Sequence, residues 1–410
     1  MKKFLKNYGL TVAMLAGIAL GAVCGVCWPS AAAAVKPVGD IFMNLLFTLV
    51  VPLVFFSISA SICNLKRSGT AGRTIGIMFL VFLGMSIVTG AISYIGTKWV
   101  NPFGGLDRSM FGLQISDAAA PAAAPESAAI VRALTVSNFL DLFSKSNLLP
   151  LIVFSMLLGL ATAACKAERV AAFLQEGNNV IMKIMNIVMY AAPVGLGCYF
   201  AHTISSLGSQ LLSGYLKAFV LYLAFTALFF FIVNSGYILI FGGPQWLRKF
   251  WQFILPPSFT ALATASSAVA IPGNIDASIK MGVKPEIAQA SVPLGTSIHK
   301  DGCIISGIIK VMMLMALLGM NMNGVGAALG IWGIAFLSGV VMGAIPSGAV
   351  TGEILICSLL GCDPALAGII IVFSTLVDIP STVVNSSANV VSAVITDRLS
   401  VSRSVSSPES

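Results

Sequence analysis

The chain reads as an all-α polytopic membrane protein whose later helices are broken inside the membrane. Three observations carry this. Hydrophobic residues make up 57% of the 410 residues and charged residues only 9%, with a mean hydropathy of +0.96. A soluble domain carries about a quarter charged residues. The apolar runs are long and continuous, as spanning helices require, and lack the short alternation of a β-barrel. Finally, residues 292–302 place Pro293, Gly295 and Gly302, with the consecutive ionisable residues His299, Lys300 and Asp301, in a segment long enough to cross a bilayer. A charge near the bilayer centre costs at least about 2.5 kcal/mol. Broken backbone is tolerated there only where it lines a cavity or is buried in protein. Such a segment is expected to handle a ligand or an ion.

Continuous spans are expected over 8–28, 39–63, 74–99, 147–165, 178–206 and 216–242. The first 34 residues mimic a signal peptide, with a basic start and Ala31–Ala34 after an apolar centre. The run from Tyr8 to Trp28 is long enough to span, so a retained first helix is expected. Residues 101–146 form a linker, whose Ala/Pro-rich stretch Ala118–Ala129 reads as an external loop. The Ser-rich tail from Leu399 reads as disordered chain.

The net charge of +8 invites a nucleic-acid reading, but the positions of the charges explain it differently. Lys2, Lys3 and Lys6 precede the first run, and Lys66, Arg67 and Arg73 follow the second. Lys166 and Arg169 follow the fourth, Arg248, Lys249, Lys280 and Lys284 flank the next pieces, and Arg398 and Arg403 follow the last. With a cytoplasmic N-terminus these clusters fall on the cytoplasmic side, as the positive-inside rule asks. The basic balance is topology, and no nucleic-acid partner is expected. Eight cysteines are scattered through the chain. Cys24 and Cys27 read as small packing residues, with no second CxxC to complete a zinc site.

After residue 250 the pattern changes. Ile254–Pro272 is apolar but crowded with Ser258, Thr260, Thr264, Ser266 and Ser267, and it ends in Ile271-Pro272-Gly273. Residues 328–362 repeat the design around Gly343-Ala-Ile-Pro-Ser-Gly348. Each broken piece precedes a long helix with polar content, 288–318 and 365–396. That pairing points to an inverted repeat and a midplane binding site, where half-helix ends can hold ions. Read singly, either piece could be an ordinary packing helix rich in small residues.

Within the last run, Asp378, Thr382, Asn385 and Asn389 are spaced four, three and four, which places them on one helical face. An intramembrane carboxylate needs a cation: a substrate ammonium, a metal ion, a proton or Lys300. In the last case an Asp378–Lys300 salt bridge would only fix packing.

At these residues the chain resembles the dicarboxylate/amino acid:cation symporter family, the fold of archaeal aspartate and eukaryotic glutamate transporters. The likeness covers almost the whole length. It rests on Gly72-Arg73, the long third-to-fourth loop, Ser266-Ser267, Pro293-Leu-Gly295 with Asp301-Gly302, Ile-Pro-Ser-Gly at 345–348, and Asp378 with Thr382 and Asn385. The resemblance implies eight transmembrane helices, two re-entrant helical hairpins, a homotrimer and an elevator-type movement. Scaffold helices would be 1–73 and 147–215. The moving domain would comprise helix 3 (74–100), helix 6 (216–249), hairpin 1 (250–287), helix 7 (288–320), hairpin 2 (328–362) and helix 8 (365–398), with a 399–410 tail. It implies a multi-pass protein of the cytoplasmic (inner) membrane, in contact with membrane lipid, with both termini cytoplasmic.

Carried over by position, Asp378 would hold a substrate α-amino group. Asn385, Ser266 and Ser267 would hold its α-carboxylate, Thr382 and Ser381 would complete the contacts, and Ser347 and Gly348 would lie at the tip of the extracellular gate. Acidic-substrate members carry an arginine where this chain has Ser381 or Ala265. No fork for a second carboxylate is visible. A small neutral amino acid is therefore the expected substrate. A dicarboxylate or acidic amino acid is the alternative, reopened if Lys300 faces the substrate.

The ion positions depart further. The family's usual Asn-Met-Asp-Gly reads His299-Lys300-Asp301-Gly302, a carboxylate is replaced by Asn389, and the third helix offers Phe82 and Met85 with only Ser86 kept. Sodium prefers hard oxygen ligands, and a fixed ammonium repels it. A residual sodium site using the Ser297 backbone, with Asp301 and Asn385, is one expectation. The other is coupling to protons, through His299, which can carry a proton near neutral pH, or through Glu353, a second intramembrane acid. Lys300 would then stand in for a bound cation, as suits an exchanger. The coupling cation is thus H+ or Na+, with no other cofactor.

Two other classes compete. A channel would use rings of polar groups. An intramembrane hydrolase would need an activated serine beside a base. Ser347 is flanked by Pro346 and Gly348, and Ile345 and Ala349 stand where a nucleophile elbow has glycines. No enzyme activity is expected.

Overall fold

The computed structural model describes residues 2–67, 72–104, 135–144, 147–207, 209–343, 349–362 and 366–402. All regular elements among them are helical. The first group is α1 (Lys2–Cys27), α2 (Pro29–Arg67), α4 (Leu148–Ala164), α5 (Glu168–Met189) and α6 (Ala192–Leu207). Here α2 packs on α4, α5 and α6, while α1 packs along α6. The second group is α3 (Gly72–Val100), α7 (Ser209–Ala227), α8 (Asn234–Gly242), α9 (Pro244–Phe253), α10 (Leu255–Thr264), α11 (Ile271–Met281), α12 (Pro285–Ile298), α13 (Asp301–Leu318), α14 (Val325–Gly343), α15 (Ala349–Leu360) and α16 (Ala367–Ser402). Its centre is α16, against which α3, α8, α10, α11, α12, α13 and α15 all pack.

Six helices of the described residues are long and apolar enough to cross a membrane, or seven if a bent pair counts as one span. Burial separates their roles. Pro285–Leu318 is 94% buried, whereas Val325–Met342 is 28% buried. The first is enclosed by protein. The second turns most of its apolar surface outward, where lipid can cover it.

Several expectations are corrected. The span 178–206 is two helices, α5 and α6, bent by 61°. Pro193 explains the site of the bend, since its ring cannot donate a helical hydrogen bond and crowds the preceding turn. Pro293 and Gly295 do not interrupt a helix. Helix α12 runs through both, and the chain unwinds only at His299 and Lys300. The first broken piece turns at residues 265–270, before Pro272, and Ala265 ends α10 in the left-handed conformation with φ 48°. Pro257 and Pro272 sit in the opening turns of α10 and α11, where a missing N–H costs nothing. The expected disordered tail begins as helix, since α16 continues to Ser402. The tip of the second broken piece, residues 344–348, lies outside the described residues. So does most of the long loop, of which 135–144 contains a short 3-10 helix, Phe139–Phe143.

A π-helical segment, Leu228–Val233, joins α7 to α8. Tyr222 before this segment bonds the Gly302 carbonyl, and Asn234 after it bonds Ser387.

The α1–α6 seam is built on glycine. Gly17, Gly21 and Gly25 recur every four residues and lie against the backbone carbonyls of Pro193, Gly197 and Ala201. Small residues at this spacing let membrane helices touch backbone to backbone. Replacing Gly21 by leucine is expected to force the helices apart and cost roughly 1–3 kcal/mol. A thermal melt of the purified protein should show a lower midpoint, and an unchanged midpoint would contradict the contact.

Candidate functional site

The site grows from the unwound pair between α12 and α13. His299 is extended and Lys300 non-helical, with φ/ψ of −111°/106° and −136°/73°. A helix end leaves backbone groups without partners, and inside a membrane such groups must be satisfied by protein. Asn385 of α16 meets this need at the start of α13: its Oδ1 accepts the Gly302 N–H at 2.8 Å. The Tyr222 hydroxyl donates to the Gly302 carbonyl at 3.0 Å. A Cβ on Gly302 would fall 2.8 Å from Ser381 Oγ, and one on Gly295 would fall 2.5 Å from Asn389 Oδ1. These glycines are thus spacers that let α12 and α13 lie directly on α16.

His299 and Asp301 form the buried side of the break. The imidazole stacks on Phe82 of α3 with ring centroids 5.0 Å apart. Its Nδ1 lies 3.3 Å from Asn389 Oδ1, and its Nε2 lies 3.3 Å from Asp301 Oδ1. Asn389 in turn donates from Nδ2 to Thr296 Oγ1 at 3.2 Å. Nδ1 is within hydrogen-bond distance of the Asn389 oxygen, whereas Nε2 and Asp301 Oδ1 are close but make no hydrogen bond among the described residues. Asp301 also lies in the first turn of α13, where the helix dipole favours an anion.

Lys300 points the other way, toward the first broken piece. Its Nζ donates to Ser267 Oγ at 2.8 Å, and both residues are buried. Asp378 is exposed, and no Lys, Arg or His nitrogen of the described residues lies within 4.0 Å of its carboxylate. The packing salt bridge between Asp378 and Lys300 is therefore not formed. Thr382 donates to the Asp378 carbonyl at 2.9 Å. Ser381 Oγ and Cys303 Sγ lie 3.5 Å from Asn385 Nδ2. Next to Ser267, the Ser266 hydroxyl is 3.4 Å from the Val269 amide.

The structure thus gathers Ser267, His299, Lys300, Asp301, Ser381, Asn385 and Asn389 around one break. Ser86 is not among them. Its hydroxyl donates to Leu83 O in its own helix, and its carbonyl accepts from Trp332 Nε1. Ser297 likewise donates to Pro293 O at 3.3 Å. Ser347 and Gly348 lie outside the described residues. Glu353 belongs to a different cluster, because its Oε1 accepts Lys310 Nζ at 2.6 Å.

Sequence reasoning missed Lys310, Asn234 and Asn274. Lys310 had a readable signal, a charge inside an apolar run. The two asparagines had none until their partners were known. Asn274 of α11 donates to Ser386 at 2.9 Å, and Asn234 donates to Ser387 at 3.0 Å. A separate cleft of about 370 Å³ lies between α3, α8 and α16, lined by Leu80, Val81, Met85, Tyr237, Phe241 and Ile395 among others. Its apolar wall suits a lipid chain, and none of the gathered polar residues lines it.

A family model described as the sodium:dicarboxylate symporter family matches residues 10–399. A C4-dicarboxylate transport protein of Bacillus subtilis is 27% identical over 338 residues, 78% of this chain and 76% of its own length. One from Rhizobium leguminosarum bv. trifolii is 28% identical over 374 residues, covering 86% and 83%. C4-dicarboxylate transport protein 2 of Pseudomonas paraeruginosa is 30% identical over 306 residues, covering 72% and 68%. These names describe transporters and not enzymes.

The Asn385–Gly302 bond gives a direct prediction. Asn385→Ala leaves a buried N–H without an acceptor, which costs about 1–3 kcal/mol. Amide hydrogen exchange in the first turn of α13 should speed up roughly ten- to a hundredfold. Exchange at the wild-type rate would show that the bond does not hold the break.

Proposed function

The chain belongs to the sodium:dicarboxylate symporter family, and from that premise we propose that it carries a C4-dicarboxylate across the cytoplasmic membrane together with protons. That it is a multi-pass, cation-coupled membrane transporter follows from the family itself. The neutral amino acid expected from the missing arginines gives way to the dicarboxylate alternative, which the names of the relatives favour.

One observation carries the substrate reading: the Lys300 ammonium, buried and bonded to Ser267. It supplies the positive charge that Ser381 and Ala265 do not. A buried ammonium attracts a carboxylate strongly once water is excluded. Ser266, Ser267, Thr382 and Asn385 would add neutral contacts, and Ser347 and Gly348 would close over the substrate. Asp378 would repel a second carboxylate unless it carried a proton, so dicarboxylate binding and proton uptake would be linked at that residue.

Proton rather than sodium coupling is supported by the ring of His299. It fills the space between Asn389 and Asp301 that a cation would otherwise bridge. Lys300, the next residue in the chain, adds a further positive charge. An exchanger that keeps Lys300 as its permanent cation shares this chemistry. A second substrate reading has its own support. Asp378, with no cationic nitrogen of the described residues within 4.0 Å, suits the ammonium of an amino acid.

The movement we propose is of the elevator kind, in a homotrimer of eight transmembrane helices and two hairpins per protomer. Residues 1–73 and 147–215 would be scaffold, and 74–100 with 216–398 would move. The packing of α2 on α4, α5 and α6, and of the later helices on α16, supports that division. Basic clusters at one set of helix ends support cytoplasmic termini.

A binding screen separates the readings. Purified protein should bind succinate, fumarate or malate in preference to serine or alanine, more tightly at pH 6 than at pH 8, and independently of sodium. Lys300→Met is expected to weaken dicarboxylate binding roughly a hundredfold, the scale of a lost buried charge pair. Tight serine or alanine binding that disappears in Asp378→Ala would favour the amino acid reading. Uptake into proteoliposomes that collapses without a sodium gradient and ignores a pH gradient would end the proton proposal.

A further inference from the structure

One fully buried cluster has no part in the site described above. Lys310 of α13, Glu353 of α15 and Ser374 of α16 meet where the three helices join. Lys310 Nζ lies 2.6 Å from Glu353 Oε1 and 2.9 Å from Ser374 Oγ, and the Ser374 hydroxyl donates to the same Oε1. Lys310 and Glu353 have no solvent exposure. Glu353 Oε2 is buried and has no hydrogen-bond partner among the described residues. Of the other helices that pack on α15, α14 and α4 carry no ionisable side chain and α2 carries Lys36, Asp40, Lys66 and Arg67; among the described residues Lys310 is the cation within 4.0 Å of Glu353.

A buried ion pair is a poor way to hold helices together. Apolar side chains of similar volume do so as well or better, because two ions must be taken out of water. What the pair adds is a condition: the junction fails when either charge is lost. The position of the pair gives that condition a use. Glu353 is the fifth residue of α15, the arm that follows the second break. Ser374 lies one helical turn before Asp378 on α16. The cluster therefore ties α15 to α13, which follows the unwound pair, and to α16, which carries Asp378 and Asn385.

Resting on the transporter reading, we propose that Lys310 is a positioning residue for transport. With Glu353 and Ser374 it forms a charge latch that sets α15 against α13 and α16, and the latch opens and closes in the transport cycle. An apolar junction at this place would hold but would not open.

Cys357 reports on the latch. It lies one turn beyond Glu353 on α15 and is fully buried. Maleimide labelling of Cys357 in proteoliposomes, read by peptide mass spectrometry, is run beside uptake of a C4-dicarboxylate. Lys310→Met and Glu353→Gln are each expected to raise the labelling rate roughly tenfold or more, because each strands a buried charge, and to abolish uptake. The double variant Lys310→Met/Glu353→Leu should protect Cys357 again yet leave uptake lost. Unchanged labelling in both single variants, or wild-type uptake by the apolar double variant, overturns the latch. If the single variants do not fold, Ser374→Ala keeps both charges and should raise labelling by a smaller factor; no change there also overturns it. Labelling needs no substrate. A wrong substrate assignment would instead show as a wild-type protein that takes up no dicarboxylate while the labelling pattern holds.

Discussion

Two helix ends facing each other inside a membrane are tolerable only if protein takes the place of water, and the fold around α16 is organised to do that. Asn385 accepts the first amide of α13, Tyr222 donates to the carbonyl of the same residue, and Asn389 reaches both Thr296 and His299. Ser386 and Ser387 extend the same strip to α11 and α8. Each contact requires close approach, so the positions facing the strip are Gly295 and Gly302. A lost hydrogen bond in such a place costs about 1–3 kcal/mol. Polar pairing thus fixes the register of the inner helices, while apolar packing fills the space around it.

The break has two chemically distinct sides. His299 and Asp301 are turned inward onto Asn389 and Phe82, while Lys300 is turned toward Ser267. Residues adjacent in sequence therefore serve different neighbours, one set inward onto α16 and α3 and one toward Ser267 in the turn between α10 and α11. Only extended backbone allows this, since a helix would place neighbours about 100° apart on one surface. The unwinding is the device that splits a charge cluster into an inner and an outer part.

Much of this was legible in the sequence, for physical reasons. Proline, glycine and serine tolerate turns, so the first broken piece could be placed, whereas the tip of the second, residues 344–348, lies outside the described residues. The spacing of Asp378, Thr382, Asn385 and Asn389 gave one face of α16. The role of the glycines was misjudged, because a glycine that relieves a turn and one that admits a neighbouring helix look the same in one dimension. The bend at Pro193 was hidden by continuous hydropathy across 178–206. Lys310 stood in plain view, but its meaning depended on Glu353, 43 residues away. The substrate preference weighed arginine at its usual positions, whereas the buried cation beside Ser267 is Lys300, which reaches it from the unwound segment.

The central claim is that the His299 imidazole occupies ground where a sodium ion would be coordinated. His202 and His299 are the only histidines in the chain, so histidine-selective nitrogen-15 NMR can observe the ring directly, with His202→Gln supplying the assignment. In nanodiscs, the His299 signals should be those of a buried ring hydrogen-bonded at Nδ1 and should not move when sodium replaces potassium. A His299 ring that shifts on adding sodium, or that has the signature of a solvent-exposed imidazole, would contradict the claim.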